Sequence, residues 1–268
     1  MYLYGASGHA KVIIDILEAS GIEIGGLIDD NPDLDTLQGY PVLHNAEGLS
    51  PLIITIGKNA TRYKIAHLLN AEFGRAIHPT AIVSPRATVG YGTTIAHGAV
   101  LHPDVRVGNH TIIGTLTSIS HECEVGDFVH ISPNSTLCGN VTIGEGTWIG
   151  AGTTILPGIK VGKWCMIGAG SLVAKDIPDC VLAVGNRCKV IKPLPLPAPV
   201  AEISNLLAVS ELEARRGGVR KRCERRAWRV VWSLRASQAF LFEQGGTADA
   251  ARVCGVGCLR IYTPAKAA

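Results

Sequence analysis

Aromatic side chains are scarce in this sequence, at 5% of 268 residues, while glycine is abundant at 31. A helical bundle is a poor match for that balance. Short strands packed by small aliphatic side chains, with frequent tight turns, suit it well. The chain has no apolar run near the roughly 20 residues that a bilayer-spanning helix needs. It shows no basic leader followed by a cleavage site, so a cytoplasmic protein is expected. Its eight cysteines are scattered. They form no disulfide framework pattern and read as reduced thiols. Charge is thin at 18% and uneven. Residues 201–268 carry 12 Lys and Arg against 6 Asp and Glu, and residues 1–200 carry 13 against 16. A mildly acidic body excludes a general nucleic-acid binder.

What the sequence does have is a period of six. Every sixth position from Ile77 to Val173 is Ile, Leu or Val, seventeen in all. Neither helical spacing nor strand alternation produces that pattern. Glycine often follows the aliphatic residue, as at Gly90, Gly108, Gly126, Gly144 and Gly162. Two positions before it stand small or β-branched residues such as Thr93, Ala99, Thr111, Cys123, Ser135 and Thr153. Each unit is expected to make a short strand and a turn, and three units to close a triangular coil of eighteen residues. The aliphatic and small residues point inward, and the glycine is expected to permit the corner. The pattern resembles the hexapeptide-repeat acyltransferase superfamily. That resemblance implies a left-handed parallel β-helix, a homotrimer and acyl-CoA held between neighbouring prisms.

Residues 1–75 read differently. Tyr2-Leu3-Tyr4 is a strand, Gly5 to Ala10 a glycine-rich turn, and Lys11 to Ser20 a helix with Val12, Ile13, Ile16 and Leu17 on one side. Ile24 to Ile28 and Leu52 to Ile56 are further strands, with a helix from about Ala60 to Asn70. This is a small Rossmann-like βαβ domain. A glycine turn entering a helix offers free N–H groups to phosphate. Carboxylates after the second strand suit a ribose or base. The full G-x-G-x-x-G signature is missing, so NAD is not the first choice.

Three segments add to that picture: Tyr4-Gly-Ala-Ser-Gly-His-Ala-Lys-Val12, Ile28-Asp-Asp-Asn-Pro32, and Ile56-Gly-Lys-Asn59 with Arg62. Ahead of a hexapeptide coil, they resemble the nucleotide-sugar N-acetyltransferases of bacterial glycan pathways, of the bacillosamine and sialic acid O-acetyltransferase type. The resemblance covers residues 1 to about 193. It implies domains at 1–75 for the nucleotide sugar and 76–192 for acetyl transfer. It further implies that Ser7, Gly8 and His9 meet the phosphates or sugar, that Asp29 and Asp30 meet uridine, and that Gly57 lines the pocket.

His121 is the candidate base. It lies two residues after Ile119, off both inward phases, and so faces outward. An amino sugar must lose a proton as it attacks a thioester, and imidazole titrates in the right range to take it. Glu122 is the family's partner for such a histidine. One coil beyond His121 stands Gly139, whose N–H can meet the oxyanion. The segment Ser120-His-Glu-Cys-Glu-Val-Gly-Asp-Phe-Val-His130 resembles the family's active-site stretch. By resemblance His130, Gly139, Ala151 and Ala169 contact acetyl-CoA, with no metal expected. Lys160, Lys163, Lys175, Arg187 and Lys189 are candidates for CoA phosphates. Gly114-Thr115-Leu116-Thr117 departs from the family's Asn-Thr-Gly-Ala pattern.

Three rival readings exist. A sialic acid O-acetyltransferase shares the layout. A trimeric zinc carbonic anhydrase is suggested by His97-x₄-His102. A non-catalytic nucleotide-sugar sensor would bind without turnover. After Val184 to Ile191, which resembles the family's closing segment, Pro193, Pro195, Pro197 and Pro199 read as a stiff linker. Residues 193–268 are expected to be this linker and a poorly ordered basic tail. Its stretch from Arg215 to Arg235, with Trp228 and Trp232, is able to meet an anionic membrane surface or nucleic acid. The Cys254-x₃-Cys258 pair is too weak a pattern for a metal site.

Overall fold

The computed structural model describes residues 1–197. The expectations for Pro199, the basic stretch and the Cys254/Cys258 pair lie outside them.

The first 70 residues form a five-stranded sheet with two helices. Its elements are β1 (Tyr2–Tyr4), α1 (Gly8–Ala19), β2 (Gly26–Ile28), β3 (Thr36–Leu37), β4 (Tyr40–Leu43), β5 (Leu52–Ile54) and α2 (Asn59–Leu68). Strand order is β3-β4-β2-β1-β5, parallel except for the β3–β4 hairpin. The strand order reverses at β1, which places a crevice at the carboxyl ends of β1 and β5. Ile13, Ile16 and Leu17 of α1 pack with Leu3, Leu27 and Ile53 of the sheet. The helix begins at Gly8, three residues earlier than the apolar spacing suggests. The glycine turn is therefore partly the first turn of α1. The β3–β4 hairpin has no counterpart in the sequence reading. Its two short strands, one carrying Pro41, leave no alternation to detect.

From Ala76 to Val173 run seventeen two-residue strands, each ending on the aliphatic residue of the six-residue period. They stack as three parallel sheets, here called faces. The first begins at Ala76–Ile77, the second at Ile82–Val83 and the third at Thr88–Val89. Strands eighteen residues apart pair in register, as Leu101 with Ile119 and Ile119 with Leu137. The fold is the left-handed parallel β-helix. Ile95 to Val173 of the aliphatic series are all buried. Ile77, Val83 and Val89, in the first coil, are only partly covered because no rung lies below them. The inward hydroxyls are not left bare. Thr93, Thr111, Ser135, Thr147 and Thr153 each donate to a carbonyl fifteen residues on, in the next rung. Buried polar groups need such partners.

The glycine after the aliphatic residue does not make the corner, contrary to the sequence reading. The left-handed residue is three positions after the aliphatic one, at every corner from Gly92 to Gly170. Glycine, asparagine and bulkier residues share it, including Leu116 at φ 56° and Glu122 at φ 60°. The departure at Gly114-Thr117 thus puts an exposed leucine at a strained corner position. The earlier glycine is needed for closeness between rungs. A Cβ on Gly144 would lie 2.6 Å from the carbonyl carbon of Gly162 and from the nitrogen of Lys163. Beyond the last rung, Val181–Val184 extends the first face and Lys189–Pro193 folds back antiparallel to it. No helix among the described residues is long and apolar enough to cross a membrane.

Candidate active site

Two clusters collect most of the expected residues. The first is at the crevice of the α/β domain, where it meets the coil. Ser7 precedes α1 in extended conformation, and its side chain makes no capping hydrogen bond. Among the described residues the N–H groups of Gly8 and His9 meet no acceptor. A Cβ on Gly8 would find open space, and the first turn of α1 holds no acid. Such a helix start suits a phosphate. Asp29 accepts hydrogen bonds from the N–H of Ala6 (2.8 Å) and of Asn31 (3.0 Å). Its carboxylate therefore shapes the turn. The Tyr4 hydroxyl lies 3.5 Å from Asp30.

His9 faces His130 across this crevice, with ring centroids 6.4 Å apart. His130 comes from the first face of the coil and stacks flat on Trp148, at 5.2 Å and 3°. Its Nδ1–H donates to the Gly57 carbonyl at 3.3 Å, since a carbonyl can only accept. Burial, with the nearby Arg62 charge, pushes both His9 and His130 down to about 4. Both rings are neutral at working pH.

The second cluster is at the corner between the second and third faces. His121 Nδ1–H donates to Glu122 at 3.0 Å, and both side chains are exposed. The imidazole lies over Gly139, so that a Cβ there would come within 2.6 Å of His121 Cε1 and 2.7 Å of Nε2. The rung-to-rung step predicted from 121 to 139 is present, with the Asn140 N–H donating to the His121 carbonyl. Among the described residues the Gly139 N–H has no acceptor. Ala151 and Ala169 are exposed and stacked at a different corner, between the first and second faces.

Within one chain the two clusters do not meet. The coil passes from first to second to third face, so the corner of His121 is opposite the first face, which carries His130 and the α/β domain.

Sequence reasoning gave no role to Arg62, Asn59 or Trp148. Arg62 is buried and donates to carbonyls on both sides of the junction, and Asn59 Nδ2 donates to the Gly146 carbonyl at 2.9 Å. Both Asn59 and Arg62 stand in a segment that carries the family resemblance, but five of the six acceptors of Arg62 are backbone carbonyls, which leave no mark in sequence. A separate cavity of about 460 Å³ lies beside the end of α2, lined by His67, Phe73, Tyr91, His110 and Phe128 among others. It contains none of the expected residues. The cysteine thiols at 123 and 165 point into the coil and are pushed up by burial. His97 stacks on His78 at 3.8 Å, and among the described residues no three His, Cys, Asp or Glu side chains gather in a way that would hold a metal.

Known proteins share this layout. The PglD N-terminal domain family matches residues 1–69, and the bacterial transferase hexapeptide (six repeats) family matches residues 140–175. The acetyltransferase domain of PglB from Neisseria gonorrhoeae is 32% identical, with a TM-score of 0.67 over 71% of this chain and 98% of that one. The chain belongs to the hexapeptide-repeat sugar N-acetyltransferases. A second member, PerB from Caulobacter crescentus, was solved in complex with CoA and GDP-perosamine. It is 34% identical, with a TM-score of 0.68 over 71% of this chain and 96% of that one. The PglB domain was also solved with acetyl coenzyme A. Among curated proteins, an uncharacterized protein of Acanthamoeba polyphaga mimivirus is 34% identical over 101 residues. That match takes in 35% of this chain and 21% of the viral protein, so the chain spans about a fifth of that relative's length.

Proposed function

We propose that this protein moves the acetyl group of acetyl-CoA directly onto the amine of a nucleotide-linked amino sugar, in sites formed between subunits of a homotrimer. The first candidate acceptor is a UDP-4-amino-4,6-dideoxy sugar. Residues 1–75 hold the nucleotide and residues 76–192 carry the chemistry. The observation that carries this reading is the His121–Glu122 pair seated over the free N–H of Gly139. The ligands of its relatives, acetyl-CoA in PglB and CoA with GDP-perosamine in PerB, support it. Use of acetyl-CoA fits a cytoplasmic enzyme.

The character of the faces supports the assembly. The first face is covered by the α/β domain where Thr94 and Ile112 are buried. The third face carries Arg106, Glu124 and Lys160, all exposed. The second face shows Ile82, Val100, Ser118, Thr136, Thr154 and Leu172, with no charge among them. It is the face suited to burial against other copies. Three second faces around a three-fold axis bring the His121 corner of each copy beside the next copy's Ala151 and Ala169 corner. The next copy's first face, with His130 and the crevice, adjoins that corner. Both clusters then border one site, with acetyl-CoA passing Ala151 and Ala169.

The Glu122 carboxylate holds His121 in its Nδ1–H tautomer and leaves the Nε2 lone pair free. The sugar amine attacks the thioester carbon while Nε2 takes its proton. The carbonyl oxygen becomes an oxyanion that the Gly139 N–H meets. Collapse breaks the carbon–sulfur bond, and the imidazolium returns the proton to the CoA thiolate. No acyl-enzyme forms. The α1 N-terminus takes the diphosphate, with Ser7, Gly8 and His9, and Asp30 lies toward the nucleoside.

Thiol release from acetyl-CoA, measured against UDP- and GDP-linked amino sugars and against sialic acid, tests the reading. Turnover is expected with a 4-amino sugar. His121→Ala should lose roughly 10²–10⁴-fold, the range for removing a general base. A mutant near the wild-type rate would remove His121 from the mechanism, and turnover of sialic acid alone would move the enzyme to O-acetylation.

A further inference from the structure

Arg62 stands in the first turn of α2, 1% exposed. No carboxylate pairs with it among the described residues. Burying a charge in that way is costly, so its donors must be well used. They are spread over six acceptors. Nη1 donates to the carbonyls of Ile56 (3.0 Å) and Gly57 (3.2 Å). Nη2 donates to Asn59 Oδ1 (3.1 Å), Phe128 O (2.8 Å) and Val129 O (3.2 Å). Nε donates to His110 O at 2.6 Å. One planar fork thus ties the loop after β5 to two successive rungs of the coil. A lysine, as a single point charge, has no such geometry.

The tie bears on His130. The Gly57 carbonyl that Arg62 grips is the acceptor for the His130 Nδ1–H, and Val129, also gripped, is the residue before it. Trp148 fixes the ring from the next rung, its own Nε1–H donating to Ser132 Oγ at 2.8 Å. His130 Nε2 is then an unprotonated acceptor with no protein partner among the described residues. The charged and titratable groups bearing on the ring are Arg62 from α2 and His9 from α1.

We propose that Arg62 is a positioning residue for the acetyl transfer: it holds the Gly57 carbonyl against His130, so that His130 keeps one tautomer and offers Nε2 as an acceptor to the ligand in the crevice beside α1. This role rests on the sugar acetyltransferase reading, but the state of the His130 ring can be measured without turnover. Arg62 keeps its charge at neutral pH although burial pushes it down to about 9. That charge adds to burial in holding His130 neutral.

The test uses full-length protein with isotope-labelled histidine, His130 being assigned through His130→Gln. Ring signals are followed with pH in the wild type, Arg62→Met and Arg62→Lys, beside melting curves and kinetics. In the wild type His130 should stay in the Nδ1–H form to below pH 5. In Arg62→Met its midpoint should rise, as removal of a nearby like charge requires, and both tautomers should appear, because the Gly57 carbonyl is no longer held against the ring. Arg62→Lys keeps the charge, so its midpoint should stay low while the single tautomer is lost. In both variants kcat/KM should fall about 10²-fold, the scale of a small misplacement. A folded Arg62→Met whose His130 matches the wild type in midpoint and tautomer would overturn the proposal. So would Arg62→Lys with wild-type kcat/KM and one tautomer, which decides the matter even if the methionine variant does not fold. Should no sugar be turned over by the wild type, the acetyltransferase reading fails while the ring signals still decide whether Arg62 holds His130.

Discussion

At the scale of single residues, the proposed chemistry depends on Gly139 having no side chain. Its backbone does not adopt the left-handed conformation, so alanine there adds no backbone strain. What alanine adds is a methyl 2.6 Å from His121 Cε1. The imidazole is exposed and free to swing away. Gly139→Ala should therefore melt close to the wild type, while the base is driven off the oxyanion donor. A displacement of about 1 Å is enough for a loss near 10²-fold in kcat. Thiol-release kinetics beside a melting curve check this. Full activity in the alanine variant would mean that the imidazole does not work above this rung. Glu122 shows the opposite economy. It stands at a left-handed corner, φ 60°, a conformation that disfavours non-glycine residues. That corner brings its carboxylate to the His121 ring from the adjacent position in sequence.

At the scale of the repeat, two kinds of glycine do different work. Gly144 touches the backbone of the next rung, whereas Gly152 has φ +67° and nothing within 4 Å of an added Cβ. Alanine at 144 must push rungs apart and should cost about 1–3 kcal/mol or more. Alanine at 152 meets only the left-handed penalty, about 1–2 kcal/mol. Thermal melts of the two variants should rank Gly144→Ala as the less stable. The reverse order would show that corner conformation, not rung spacing, limits the coil. The same distinction marks what the sequence could reveal. The aliphatic period was legible because one inward position recurs in every strand, and His121 over Gly139 follows from that period by a step of eighteen. The reason for the post-aliphatic glycine was not legible, because a neighbour eighteen residues away forbids the Cβ. Arg62 was equally hidden, since five of its six acceptors are the carbonyls of Ile56, Gly57, His110, Phe128 and Val129, which any residue would supply.

At the scale of the whole molecule, a triangular coil separates what the chemistry must join. His121 and Glu122 project from one corner, while His130, Gly57 and the start of α1 lie on the opposite face. On the proposed reading, a nucleotide held at α1 does not reach the His121 corner of its own chain, whereas the proposed ring of three copies brings the two together. Each site in such a ring takes its base from one copy and its crevice from the next. Two inactive variants should therefore restore one another. His121→Ala keeps an intact crevice, and Gly8→Glu, which places a carboxylate at the phosphate-binding helix start, keeps an intact base. Neither should turn over alone. Unfolded together in equal amounts and refolded, they should form mixed trimers with about a quarter of sites carrying both intact halves, by random assortment around a closed ring. Thiol release near that fraction of the wild-type rate is the expected outcome, and the separately refolded variants combined afterwards should stay inactive until subunits exchange. Mixed trimers with no activity would place the base and the crevice of each site on one chain, and the uncharged second face would then need another explanation than the assembly of the site.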